Sequence, residues 1–136
     1  MSDLGTTQAK ELGEFFKELR KTEPEIIKKV ITSPFLRCIQ TADPISGAFD
    51  VPLLIENSLW EIVYTSENMP DLSERKAYFP RIDTTYQSLF RPALDEDFPV
   101  SSTARYAEAA NCIVEQFRGE RGFAIVTHAA GVVTIG

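Results

Sequence analysis

The chain has one histidine, His128, and two cysteines, Cys38 and Cys112. So few ligating side chains give no disulfide framework and no metal-binding spacing. A reduced cytoplasmic setting is then the default expectation. No stretch approaches the ~20 apolar residues of a membrane span. Met1 leads straight into Ser2-Asp3-Leu4-Gly5, without a signal-peptide pattern. Basic residues are in deficit, 14 against 20 acidic ones, for a formal charge of -6 and a pI of about 4.8. That balance counts against a nucleic-acid surface, while leaving a local basic pocket open. No repeat and no low-complexity tract occurs.

What is present is ordinary globular material. The 136 residues allow one domain, and 43% hydrophobic with 25% charged residues argues against wholesale disorder. Leu4, Leu12, Phe16 and Leu19 recur at helical spacing behind Ser2, a helix from Asp3 to about Lys21. Val30-Ile31-Thr32 reads as a short buried strand. Ser33-Pro34 then reads as a cap with proline at the first helical position, for a helix from Phe35 to about Phe49. Leu53-Leu54-Ile55 is a second strand. From Ile62 to Pro99 the periodicity is lost among prolines 70, 80, 92 and 99, so this stretch is expected to be a long irregular insertion. Ser101-Ser102-Thr103 reads as a cap for a helix to about Arg118, with Tyr106, Ala110, Ile113, Val114 and Phe117 on its apolar side. Gly119 and Gly122 bracket a turn into the best strand, Phe123–Thr127. Alternating helices and strands predict an α/β sheet with right-handed crossovers, whose sites lie beyond the carboxyl ends of the strands.

Three residues fall at such ends. Arg37, in the first turn after Ser33-Pro34, offers a guanidinium fork suited to phosphate. His128 follows the last strand and could hydrogen-bond a phosphoryl oxygen or attack one. Glu61, beside Trp60, could protonate a leaving alkoxide. Taken singly, each has a bland alternative: an arginine paired with a carboxylate, a satisfied structural imidazole, a loop glutamate. Their joint arrangement favours a phosphate site.

These segments resemble the histidine phosphatase superfamily, the phosphoglycerate-mutase-like fold. Leu4-Gly5-Thr6-Thr7-Gln8-Ala9-Lys10-Glu11-Leu12-Gly13 is similar to the family's first helix. Ser33-Pro34-Phe35-Leu36-Arg37-Cys38-Ile39-Gln40-Thr41-Ala42 is similar to its S-P-x-x-R-x-x-Q-T-A signature. Leu59-Trp60-Glu61 and Val126-Thr127-His128-Ala129 are similar to the segments bearing its acid and its second histidine. The likeness spans residues 2 to about 61 and 101 to 131. In the insertion only Asp83-Thr84-Thr85-Tyr86 aligns. That stretch and the signature look most like the branch of the ubiquitin-associated, SH3-bearing tyrosine phosphatases and the ecdysteroid-phosphate phosphatases.

The resemblance implies a three-layer α/β/α fold, and residues 1-136 as a partial histidine phosphatase domain with the insertion at about 62-99. It implies phosphomonoester hydrolysis through a phosphohistidine, possessed by the full-length protein and tyrosine-phosphatase-like in character. Arg37 would clamp phosphate, His128 would hydrogen-bond it and stabilise the transition state, and Glu61 would protonate the leaving group. No metal and no cofactor is implied. The ligand would be a phosphorylated small molecule or a phosphotyrosine protein, and the branch tends to dimerise. No Arg-His-Gly nucleophile motif occurs in these residues. The family places it on a strand before the first helix, so the expectation is a domain truncated at both ends and inactive alone. The alternative is a non-catalytic phosphate- or phosphotyrosine-binding module.

Overall fold

A computed structural model describes residues 2–61, 71–90, 100–120 and 122–135. Helix α1 (Asp3–Thr22) leads to strand β1 (Lys29–Thr32), helix α2 (Leu36–Phe49) and strand β2 (Leu53–Ile55). Helices α3 (Leu72–Tyr78) and α4 (Val100–Gln116), strand β3 (Phe123–Val126) and helix α5 (Ala129–Ile135) follow. The sheet is parallel in the order β2-β1-β3. Thr32 is level with Ile55 on one side and Val126 on the other, so the three strands end together.

The local chemistry explains the elements. The Ser2 hydroxyl accepts from the Gly5 N–H and closes the amino end of α1. Helix α2 starts later than the Ser33-Pro34 reading: its N-cap is Phe35, which makes no side-chain cap bond. Ser33 is instead fully buried at the end of β1. At the other end of α2, Asp50 takes the left-handed conformation, with φ 56°, and donates its N–H to Ser46. Gly122 turns the chain into β3 with φ +84°, and a Cβ there would lie 2.3 Å from the Ile26 carbonyl oxygen.

Alternation along the strands builds two cores, one on each face of the sheet. Val30, Leu53 and Ile55 face Ile39, Ala42, Ile45 and Phe49 of α2, with Leu12 and Phe16 of α1 packed on the same cluster. Ile31 and Leu54 face Tyr106, Ala109, Ile113 and Phe117 on the opposite side. The result is the expected three-layer α/β/α arrangement. Helices α1 and α2 approach closely at Gly13, where a Cβ would lie 2.7 Å from that of Pro44.

Two expectations change. The described part of the 62–99 stretch is not wholly irregular: α3 forms there, and Ile82 is fully buried and bridges to Leu53. Residues 62–70 and 91–99 lie outside the described residues. In α4, Ser101–Thr103 lie inside the helix, and Val114 is 55% exposed. Arg105 is buried in its place, donating to the Ser58 carbonyl at 2.6 Å. Among the described residues, no helix is long and apolar enough to cross a membrane.

Candidate active site

The shared carboxyl edge of the three strands gathers Arg37, Glu61 and His128. β1 delivers Ser33 and the first turn of α2, which holds Arg37. β2 runs into a 3-10 turn (Asn57–Leu59) and then Trp60-Glu61. β3 runs into Thr127-His128. Three residues 24 to 91 positions apart in the chain thus meet within hydrogen-bond distance.

Glu61 Oε2 accepts from Arg37 Nη2 at 2.8 Å and lies 3.0 Å from His128 Nδ1. Arg37 Nη2 is itself 3.0 Å from that ring nitrogen. The other ring nitrogen, Nε2, lies 2.8 Å from the Ser33 hydroxyl. Ser33 Oγ also accepts from the Phe35 N–H at 3.4 Å. Arg37 can only donate to Nδ1 and Glu61 can only accept from it, so these two contacts favour opposite tautomers of the neutral ring. The Phe35 ring meets the imidazole edge to face at 5.1 Å, and the Arg37 guanidinium lies 4.8 Å from the same ring centre.

Burial sets the charges. The His128 side chain is 2% exposed. That burial lowers its pKa to about 4, with Glu61 opposing the shift and Arg37 and Arg105 reinforcing it. The imidazole is neutral at pH 7. Burial also pushes the Cys38 thiol up, although Arg37 and a Ser33 hydrogen bond pull it down. Cys38 therefore packs as a thiol, with its sulfur 3.7 and 3.8 Å from the two ring nitrogens.

Arg37, Glu61 and His128 line a cleft of about 550 Å³ with Ser2, Thr41 and Thr127. The amino ends of α1 and α2 both reach it, and their dipoles favour an anion. A neutral imidazole, a guanidinium half in solvent and a carboxyl group suit a tetrahedral oxyanion and proton transfer beside it. Among the described residues, no group of three or more His, Cys, Asp or Glu side chains could hold a metal ion.

A second glutamate in the same connection is placed quite differently. Glu56 is fully buried and accepts from the Ser58 N–H, the Tyr86 and Ser88 hydroxyls and the Leu89 N–H. It ties residues 86–89 to the end of β2 and does not reach the cleft. Sequence reasoning missed Ser33, Phe35 and Cys38 as neighbours of the histidine. All three sit in the run that carries Arg37, and that proximity was the available signal.

Comparison with known proteins completes the picture. The sequence profile of the histidine phosphatase superfamily (branch 1) matches residues 1–135. No curated protein matches the chain. Among solved structures, it is similar to the ecdysone phosphate phosphatase of Bombix mori in complex with tungstate. The two share 20% identity at a TM-score of 0.76, over 99% of this chain and 54% of that one. A mycobacterial glucosyl-3-phosphoglycerate phosphatase complexed with VO3 shares 17% at a TM-score of 0.59, over 99% of this chain and 66% of that one. A mycobacterial hydrolase shares 17% at a TM-score of 0.57, over 99% and 64%. The chain spans between about half and two thirds of the length of these structures, and at such identities the likeness shows the fold. With its profile match running from residue 1 to residue 135, the chain belongs to the histidine phosphatase superfamily.

Proposed function

We propose that the cleft binds the phosphate of a phosphomonoester, and that the whole protein hydrolyses such esters through a phosphohistidine. The observation that carries this reading is the meeting of Arg37, Glu61 and His128 within 3.0 Å at one sheet edge. Arg37 clamps two phosphoryl oxygens. His128 donates from its neutral ring and steadies the charge that develops on the equatorial oxygens.

His128 is a poor nucleophile, because both its nitrogens already face protein partners and the ring is buried. It is also the only histidine in these 136 residues. In this reading the attacking imidazole is not one of these residues' own. Its nitrogen bonds to phosphorus as the ester P–O bond breaks. Glu61 gives its proton to the leaving oxygen, then takes one from the water that cleaves the phosphohistidine. The 136 residues alone bind phosphate and do not turn over.

The ligand class is a phosphorylated small molecule or a phosphotyrosine protein. The similar solved structures are named for an ecdysone phosphate and for glucosyl-3-phosphoglycerate. A second reading, a non-catalytic phosphate-binding module, draws on the same single buried histidine. Turnover by the whole protein would exclude it.

Thermal unfolding of this chain with phosphate and with vanadate tests the binding step. Ligand at 100 times its Kd should add about 2.7 kcal/mol of stability, and Arg37→Ala should abolish the gain. A melting temperature unmoved by either anion overturns the phosphate reading. Hydrolysis of an aryl phosphate that survives both Arg37→Ala and His128→Ala overturns the assigned roles.

A further inference from the structure

We propose that Ser33 is a positioning residue that fixes the ring proton of His128 on Nδ1, so that the imidazole presents an N–H to the cleft. This rests on the phosphomonoester reading above and deepens it, because an ionised phosphoryl oxygen can only accept from that nitrogen.

The ring is neutral at pH 7 and carries one proton, on one nitrogen or the other. The cleft side does not choose between them. Glu61 needs the proton on Nδ1, and Arg37 needs Nδ1 bare. A ring with its proton on the wrong nitrogen must shift it before it can donate to an anion. Affinity then falls by the fraction of rings in the wrong form.

The far side of the ring does choose. The Ser33 hydroxyl lies 2.8 Å from Nε2, across 95 positions of the chain. Ser33 is fully buried, so water does not stand in for a missing partner. The Phe35 N–H, 3.4 Å from Oγ, can only donate to that oxygen. The Cys38 thiol is the other polar group bonded to the hydroxyl, and its sulfur is a weak acceptor. If Nε2–H donated to Oγ, the hydroxyl proton would have only that sulfur. A buried hydroxyl proton without a good acceptor costs free energy. With Nε2 bare, the hydroxyl donates to it and Oγ still accepts from Phe35. The ring proton is then left on Nδ1, facing the cleft.

The backbone holds Ser33 in place for this. Its N–H donates to the Val126 carbonyl at 3.0 Å, two residues before His128, so hydroxyl and ring ride on paired strands. Arg75 of α3 donates to the next carbonyl, that of Pro34. Ser33 does not line the cleft, so a ligand that displaces Glu61 leaves the hydroxyl where it is.

His128 is the single histidine, so nitrogen NMR of the isotope-labelled ring reads its tautomer without overlap. At pH 7 the native chain should carry the proton on Nδ1. Glu61→Ala removes the other group that holds it there and leaves Arg37 in opposition, yet the proton should stay. Adding Ser33→Ala should lower the ratio of the Nδ1–H to the Nε2–H form by about fivefold, the strength of one hydrogen bond. Ser33→Thr in the same background keeps the hydroxyl and should preserve the ratio. Lost packing alone would lower the melting temperature without moving the ratio. A proton on Nε2 in the native chain or in Glu61→Ala overturns the proposal, and this reading stands even where Ser33→Ala does not fold. A ratio unchanged by Ser33→Ala, or lowered as much by Ser33→Thr, overturns it as well. Calorimetry with inorganic phosphate on the same variants should show about twofold weaker binding once Ser33→Ala is added. Equal affinities overturn the positioning role. If phosphate does not bind the native chain, the phosphate reading falls, and the tautomer ratio alone decides whether Ser33 holds the proton.

Discussion

Glu56 and Glu61 sit five residues apart in one connection, yet they occupy opposite physical situations. Glu56 is sealed from water, and its two oxygens take four donors from residues 58, 86, 88 and 89. Glu61 stands in an open cleft between a guanidinium and an imidazole, and a ligand can displace either contact. A carboxyl group with every lone pair engaged by fixed donors is a strut. One with exchangeable partners at a cleft mouth can move protons. The sequence offers two similar glutamates, and only satisfaction of their oxygens separates them.

The sharpest way to break the comparison is to remove the strut. Glu56→Ala leaves two hydroxyls and two backbone N–H groups without their acceptor in the interior. Losing a buried network of this kind costs about 3–5 kcal/mol, against less than about 1 kcal/mol for Glu61→Gln. Burial, and then the bond to Glu56, pushes the Tyr86 hydroxyl far above its ordinary pKa. A spectroscopic titration of Tyr86 in the variant should therefore move down only part of the way, because its burial remains. Urea unfolding of the two variants measures the gap. Equal stabilities would erase the distinction between the two glutamates.

Much of this arrangement is legible from residue patterns alone. The unbroken apolar runs Val30-Ile31 and Leu53-Leu54-Ile55 call for cover on both faces of the sheet. Parallel strands then bring Arg37, Glu61 and His128 to one edge. Three features were not legible, each for a physical reason. Ser33 before Pro34 matches a helix cap, and only the tertiary meeting of β1 and β3 gives its hydroxyl to His128. Helix α3 is seven residues long, too short for its period to stand out among prolines. Arg105 is charged and reads as solvent-facing, but its stem packs inward and its guanidinium reaches the Ser58 carbonyl. Backbone acceptors waiting at the ends of strands leave no trace in a hydropathy pattern.

A smaller effect separates the two regions by pH. His128 has a folded pKa of about 4, against about 6.5 in the unfolded chain. Between those values the unfolded chain holds the extra proton, so stability rises with pH across the window. The contribution is fully present above about pH 6.5 and is lost as pH falls toward 4. Its size is on the order of 3 kcal/mol. His128→Gln keeps a polar side chain that does not titrate. Its stability should change less between pH 7 and 4 than that of the native chain, as read from melting curves at several pH values. Parallel curves would mean that the imidazole takes up its proton at the same pH in the folded chain as in the unfolded one.

The smallest effect bears most directly on chemistry. Glu61 Oε2 lies between Arg37 and His128, the place that the proposed function gives to a phosphoryl oxygen. An entering phosphate must displace that carboxylate and then sit beside its charge. Two like charges about 4–5 Å apart repel by roughly 1 kcal/mol in water and more where the cleft excludes it. Glu61→Gln keeps the shape and removes the charge, so it should tighten inorganic phosphate binding by about three- to tenfold. Glu56→Gln offers no such gain, because its carboxyl group does not face the cleft. Weaker phosphate binding in Glu61→Gln would show that the carboxylate supports the bound anion. It could not then be the group that opposes phosphate until it carries the proton destined for the leaving oxygen.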